Sequence, residues 1–293
     1  MIWRLTQALS VPAELAQDAA VVTEFMIGAL DVVDDVIDDE SRADNASRAI
    51  NAGIALLALA HAAGGELAKR LPADQGGLVG PCLSNALLVS TAGEDLDILF
   101  ESDPTVDEAA ALAMTEKKSG PLVAMAFELA GILHTSDPAL LARLAEIGRQ
   151  VGLLNQLDND LQGCTKDGAL ACSDLRLRKK TLPVAYALRC RPLDGAEDFR
   201  RFFQEPASPR LADASQLDMV QRYLASCGAL HYTWVVAQTI QRDLLALLAQ
   251  MVGQGQQPLA DACRALIPPL PAMSNQAHVS AVARLAGTRP GVS

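Results

Sequence analysis

The chain has 293 residues, half of them apolar, and carries 35 acidic against 24 basic side chains, for a net charge of −11. That apolar share is ample for a continuous core, and the length allows one large domain or two ordinary ones. No basic patch interleaved with aromatics occurs, which argues against a nucleic-acid partner, so an acidic chain of this kind needs metal ions or a small local cluster of cations to handle an anionic substrate. The six cysteines are widely spaced with no C-x-x-C pair, which argues against zinc and fits a reducing cytoplasm. The first residues, Met1-Ile-Trp-Arg-Leu-Thr-Gln7, lack the basic region and cleavage pattern of a signal peptide. Apolar runs such as Ala52 to Ala60 are too short to span a bilayer, so no transmembrane segment is expected.

In chain order, residues 1 to 30 predict one or two helices broken near Ser10-Val-Pro12, with Ser10 capping the second and Pro12 in its first turn. That helix runs into Asp31-Val-Val-Asp34-Asp35-Val-Ile-Asp38-Asp39-Glu40 and is expected to end around Ser41 to Asn45. Helical spacing puts Asp31, Asp34, Asp35 and Asp38 on one side. Like charges so spaced repel, and on a helix that buries its Val and Ile they call for a cation; a solvated acidic face is the alternative. Hard carboxylate oxygens suit Mg²⁺, which binds through one or two carboxylates plus substrate phosphates.

Ser47 to Leu71 reads as an Ala/Leu helix open to interruption at Gly64-Gly65, and Leu71 to Pro81 as a loop. Cys82 to Phe100 is helical and contains Gly93-Glu94-Asp95-Leu96-Asp97. The next helix starts at Asp103-Pro104, capped by Asp103 or Thr105, and should kink or restart at Gly120-Pro121, just after Lys117 and Lys118. Leu122 to Leu133 and Ala139 to Gln162 are helical, Gly163 to Ser173 is a polar loop, and Asp174 to Arg189 starts basic and turns helical after Pro183. Residues 190 to 217 hold a short helix between loops, and Gln216 to Met251 and Leu259 to Gly287 give one or two helices each. No period-2 alternation persists. The chain is therefore read as all-α, one domain over 1–293 with an irregular segment near 190–217.

A second acidic element lies at Gly152-Leu-Leu-Asn155-Gln156-Leu-Asp158-Asn159-Asp160-Leu-Gln162, with Gln156, Asn159 and Asp160 on one face. Two acidic helices facing each other across a bundle can hold a diphosphate through Mg²⁺ ions. Lys117 and Lys118 at the Gly-Pro break, and Arg176, Arg178, Lys179 and Lys180 before Thr181-Leu-Pro, are the candidate phosphate ligands. The alternative for each cluster is solvated cations at helix ends. His61, on an apolar helix, reads as a core histidine, and His231-Tyr232-Thr-Trp234 reads as helix packing rather than cavity lining.

These residues together resemble the trans-prenyl diphosphate synthase family of isoprenoid synthases. Asp34-Asp35-Val-Ile-Asp38 matches its D-D-x-x-D motif, Gly93-Glu94 with Leu96-Asp97 its G-[Q/E]-x-L-D-L motif, and Lys118-Ser119 its K-[T/S] motif. Gln156-x-x-Asn159-Asp160 is similar to Q-x-x-D-D-x-x-D, and Ser173-Asp174 through Lys179-Lys180-Thr181-Leu182-Pro183 to S-D-x-x-x-x-K-x-T-L-P. The ordered set implies a helical bundle with a deep central cavity. It implies three Mg²⁺ ions, with Asp34 and Asp38 as ligands, Asp35 in support, and Asn159 or Asp160 holding the third. Lys118 and Lys179, with Lys180 and Arg42, would bind the allylic diphosphate, and Gln156 would lie near the developing cation. A pocket floor is expected one turn or more before the first motif, at Met26, Ala29 and Leu30. A homodimer is expected on the same ground.

The departures direct the functional reading. Elongating members carry a basic Gly-Gly-Lys-Arg-type segment upstream of the first motif and an Arg-Arg pair after it, both serving isopentenyl diphosphate; here Arg4 and Arg42 are alone in those places. Asn159 and Gly163 replace aspartates of the second motif, and Asn159, Gly163 and Asp167 are spaced like the N-x-x-x-S-x-x-x-E metal motif of class I terpene cyclases but differ from it at two of the three positions. The sequence thus predicts a Mg-dependent prenyltransferase that ionises an allylic diphosphate and passes the prenyl cation to an acceptor, a small molecule or a peptide, other than by standard elongation. Ordinary chain elongation, class I cyclisation and a regulatory subunit of a heteromeric synthase are the alternatives. Two Trp, three Tyr and six Phe give a cyclase few rings for steering a cation.

Overall fold

A computed structural model describes residues 1–38, 45–165, 173–190, 193–204 and 214–270. Among them twelve helices occur and no strand: α1 (Ile2–Ala8), α2 (Ala13–Ile37), α3 (Ala46–Lys69), α4 (Ala73–Glu101), α5 (Glu108–Ile132), α6 (Pro138–Thr165), α7 (Ser173–Arg176), α8 (Leu182–Arg189), α9 (Ala196–Gln204), α10 (Ala214–Ser226), α11 (Ala229–Gly253) and α12 (Gln257–Arg264). The all-α expectation holds. Arg42, Asp167 and the expected helix beyond residue 270 lie outside the described residues.

Several boundaries differ from the sequence reading. Pro12, not Ser10, is the N-cap of α2, and Ser10 adopts a left-handed φ of 56° in the turn before it. The α2 helix stops at Ile37 with Asp38 as its C-cap. The α3 helix passes Gly64-Gly65 without a break. Residues 73–81 are helix rather than loop, and α5 passes Gly120-Pro121 unbroken. Pro81 deprives the Gly77 carbonyl of its donor, and Gly77 is exposed with nothing packed on it. Pro121 does the same to the carbonyl of Lys117, whose backbone lies against Gly93. The α5 helix also starts later than Asp103: Asp107 Oδ1 accepts from the Ala110 amide at 2.8 Å, while Asp103 Oδ1 closes a turn with the Thr105 amide and hydroxyl.

The chain clusters into two compact units. The first comprises residues 1–94, 116–153 and 241–267. Within it α2 packs along α3, and α1 lies against α2 and α12. Its buried side chains include Leu5, Val22, Met26, Ala29, Phe127, Leu144 and Ile147. Small residues set how closely its helices approach. A Cβ on Gly148 would stand 2.7 Å from Ala124 Cα, and one on Gly152 would stand 2.8 Å from the Ser119 carbonyl, so α5 and α6 meet backbone to backbone.

The second unit comprises residues 95–115, 154–240 and 268–293. Its core gathers Phe199, Phe202 and Phe203 of α9, Tyr223 and Leu224 of α10, Val184 of α8 and Leu175 of α7. Phe199 stacks obliquely on Tyr223 at 4.6 Å and on Phe203 at 4.9 Å between ring centres, so α9, though short, is an anchored element. Tyr232 lies on Tyr186 at 4.4 Å, in accord with the packing role expected for that stretch.

Two surface features depart from expectation. His61 is exposed, not a core histidine. The α3 helix, at 24 residues and a mean hydropathy of 1.3, is long and apolar enough to cross a membrane by length and composition, because Ala and Gly extend the apolar run past Ala52–Ala60 on both sides. Only 22% of that apolar window is buried, and Ile50, Ile54 and Leu59 face outward.

The close α5–α6 contact yields a direct test. Gly148→Val forces apart two backbones with no flexible side chain to yield, so a loss of about 1–3 kcal/mol is expected. Urea unfolding should show a lower midpoint at unchanged slope.

Candidate functional site

In the first unit the acidic end of α2 meets α4 and α5. The meeting depends on Gly93: a Cβ there would fall on the backbone nitrogen of Lys118. Glycine thus lets α4 lie directly on α5 and brings the next residue, Glu94, to the Lys118 ammonium. Lys118 Nζ stands 2.7 Å from Glu94 Oε2 and 2.9 Å from Asp34 Oδ1. Carboxylate oxygens of Asp34, Asp38 and Glu94 come within 4.8 Å of one another. Three hard oxygen donors at that spacing fit Mg²⁺ or another hard divalent cation. The like charges of the stretch are felt locally. The Asp31 carboxyl is held above its ordinary range, first by desolvation and then by Asp34, Asp35 and Glu24.

The four aspartates do not act as one face. Asp34 and Asp38 join the cluster half-buried, while Asp31 and Asp35 are exposed. Glu94 is the residue that the sequence reading passed over as a ligand, having treated it as a short-motif position. Its signal was present: a glycine just before a carboxylate, in a helix predicted to pack.

In the second unit Gln156 Nε2 donates to Asp160 Oδ1 at 3.0 Å, and Asp160 is buried. Asn159 is exposed, so the expected shared face of three residues reduces to Gln156 and Asp160. Asp158 points elsewhere, as expected, and accepts from Gln162 at 2.6 Å. The glycine at 163 has a steric reason. A Cβ there would stand 3.0 Å from Asp174 Oδ2, and an aspartate would set a second carboxylate against it.

Of the basic run, Lys179 is buried and its Nζ lies 3.5 Å from Asp97 Oδ2, also buried. Arg178 adopts a left-handed φ of 58° and its guanidinium lies 4.8 Å over the Phe202 ring. The structure places Lys180 differently from its neighbour. Its side chain is fully buried, and its Nζ donates to the carbonyls of Glu101 at 2.9 Å, Arg178 at 3.2 Å and Phe203 at 3.4 Å, beside the Phe203 ring. Burial pulls its pKa down to about 8, with Glu101 and Asp103 opposing and Arg178 assisting that shift.

The sequence matches the family model described as Polyprenyl synthetase over residues 1–209. It is 34% identical over 146 residues to a (2E,6E)-farnesyl diphosphate synthase of Mycobacterium tuberculosis (strain H37Rv), a match covering 48% of this chain and 39% of that protein. The chain spans about half the length, or less, of the curated relatives it matches. Its fold is similar to that of a geranylgeranyl pyrophosphate synthase, with a TM-score of 0.77 at 19% identity, covering 91% of this chain and 85% of that one. It is also similar to a polyprenyl synthase from Caulobacter crescentus CB15 complexed with calcium and isoprenyl diphosphate, with a TM-score of 0.74 at 21% identity over 92% and 83% of the two chains.

The buried Lys180 makes stability depend on pH. Its folded pKa of about 8 lies below the ordinary 10.5, so between those values the unfolded chain holds a proton that the folded chain has released. The contribution of this group therefore rises as pH rises through that window and is lost as pH falls through about 8. The difference in unfolding free energy between wild type and Lys180→Met, from urea titrations across the window, should grow with pH.

Proposed function

The chain belongs to the polyprenyl synthetase family, and from that premise we propose that it is a Mg-dependent prenyl diphosphate synthase, joining an allylic diphosphate to isopentenyl diphosphate. The observation that carries the reading is the Asp34–Asp38–Glu94 carboxylate set with Lys118 bound into it. Asp34, Asp38 and Glu94 are assigned to Mg²⁺, with three ions as the resemblance implies. Asp35 is assigned a supporting part. Mg²⁺ bound there would neutralise diphosphate oxygens as the allylic C–O bond breaks.

Lys118 already satisfies two of the carboxylates, so its ammonium is poised to turn to a phosphate oxygen once another cation takes up their charge. Met26 and Ala29, buried on α2 upstream of Asp34, are assigned to the floor that receives the prenyl chain and keeps water from the cation. Gln156, Asp160 and Asn159 are assigned to cation and metal contacts, and Lys179 and Arg42 to diphosphate, on motif position. The curated relatives are named as diphosphate synthases of several chain lengths, which favours elongation over the transfer to another acceptor that the sequence reading placed first.

One observation keeps transfer to a different acceptor as a second reading: Arg42 is the sole basic residue between Asp39 and Ser47, where the resemblance leads one to expect an Arg pair, and a second diphosphate needs cations. The proposal includes a cytoplasmic homodimer in which a second copy covers the outward apolar side of α3.

The reaction test is an incubation with Mg²⁺ and ten-, fifteen- or twenty-carbon allylic diphosphates, with and without isopentenyl diphosphate, followed by mass spectrometry. Longer diphosphates that form only with isopentenyl diphosphate are expected, and Asp34→Asn should reduce their formation by at least about a hundredfold. Hydrolysis alone would move the assignment to the second reading, cyclic hydrocarbons from one substrate to a cyclase, and no turnover to a regulatory subunit. For assembly, Ile54, 60% exposed on α3, is the point to probe. Ile54→Lys should halve the mass measured by light scattering, and an unchanged dimer would move the contact elsewhere.

A further inference from the structure

Lys180 sits beside a proposed diphosphate ligand, yet its ammonium is spent entirely on the protein. The three carbonyls it binds belong to three separate pieces of chain. Glu101 is the last residue of α4, and Phe203 is next to last in α9. Carbonyls at such positions have no partner within their own helices, and a cation there also meets the negative end of the helix dipole. The third carbonyl, of Arg178, belongs to the loop that carries Lys179. One ammonium with three N–H donors thus closes two helix ends and a loop, with none left over.

The partners of this clamp lead back to the site. Asp97 is one turn before Glu101 on α4, and Asp97 is the carboxylate that faces Lys179. The clamp therefore holds both members of the Lys179–Asp97 pair, one through the last turn of α4 and the other through the loop. Arg178 lies over Phe202 and Lys180 beside Phe203, so the loop rests on the aromatic face of α9 from two adjacent residues.

We infer that Lys180 is a positioning residue for the reaction, fixing the Lys179 ammonium where it meets the substrate diphosphate and making no contact with substrate itself. This rests on the diphosphate role proposed for Lys179. It also revises the sequence expectation that Lys180 is a second diphosphate ligand: adjacent lysines with the same chemistry divide into one that binds and one that places it. It gives α9 a purpose, since its C-terminal carbonyl and phenyl rings form the seat of the loop.

The test is a double-mutant cycle on the full chain, read as affinity for inorganic diphosphate in Mg²⁺ by calorimetry, with unfolding midpoints recorded alongside. Lys179→Ala is expected to weaken binding about tenfold, as for loss of one hydrogen bond to a charged group. Lys180→Met, which keeps the buried stem and removes the ammonium, is expected to weaken binding by a similar factor on its own but by less than about twofold when Lys179 is already Ala. Unchanged affinity in a folded Lys180→Met, or full additivity in the double variant, overturns the inference and leaves Lys179 as a ligand. If Lys179→Ala binds like wild type, the proposed role of Lys179 itself fails, and the inference falls with it. Should Lys180→Met not fold, amide exchange of the wild type decides. Residues 98–101, 178–182 and 203–204 are expected to open more slowly at about pH 9 than at about pH 7, after correction for intrinsic rates, because opening the clamp returns Lys180 to water, where its amine must regain the proton it has released in place. Unchanged protection overturns the inference.

Discussion

The first unit depends on a single ammonium held by two carboxylates. Asp34, Asp38 and Glu94 come from two helices and would repel one another across a gap too small for bulk water to screen well. Lys118, from a third helix, bridges Asp34 and Glu94 at 2.9 and 2.7 Å. Charge and packing are coupled here. Gly93 permits the backbone contact that brings Glu94 within reach of Lys118, and Gly148 and Gly152 permit the contact that seats α5 on α6. The acidic stretch is stable because the helices around it are thin enough to supply its counterion.

In the second unit the same problem has the opposite solution. Lys180 balances no carboxylate at contact distance and is satisfied by backbone oxygens that helix geometry leaves open. A buried ammonium is costly unless every donor is used, and here all three are. Lys118 is held by side-chain carboxylates that another cation can claim, whereas Lys180 is held by backbone carbonyls of three separate pieces of chain. The first arrangement suits a residue that must change partner during a reaction, and the second suits one that must not.

Much of this was legible in the sequence. Long helices announced themselves through Ala and Leu periodicity, and the motifs stood in an order that chance does not readily produce. What was hidden is instructive in particular places. Pro81 looked like the end of a loop because sequence does not reveal that Gly77 is exposed. Helical spacing alone put Asp34 and Asp35 on one side, and only the family resemblance set Asp34 with Asp38; Glu94, which joins them, comes from a distant helix that spacing could not bring in. Asn159 seemed to share a face with Gln156, but the side chain Gln156 binds is Asp160. Lys179 and Lys180 could not be separated at all, because what divides them is the position of helix ends seventy-odd residues before and twenty-odd residues after them.

The proline within α4 does more than escape penalty. A proline leaves one carbonyl without its helical donor, and that carbonyl has to face water or forfeit about 1–3 kcal/mol. Pro81 therefore marks a side of α4, at the exposed Gly77, that is costly to turn inward. This is the helix that carries Glu94 to the Lys118 ammonium. The proline thus acts as a rotational key: it adds no attraction to the native arrangement, but it raises the energy of settings of α4 in which the Gly77 carbonyl would be buried.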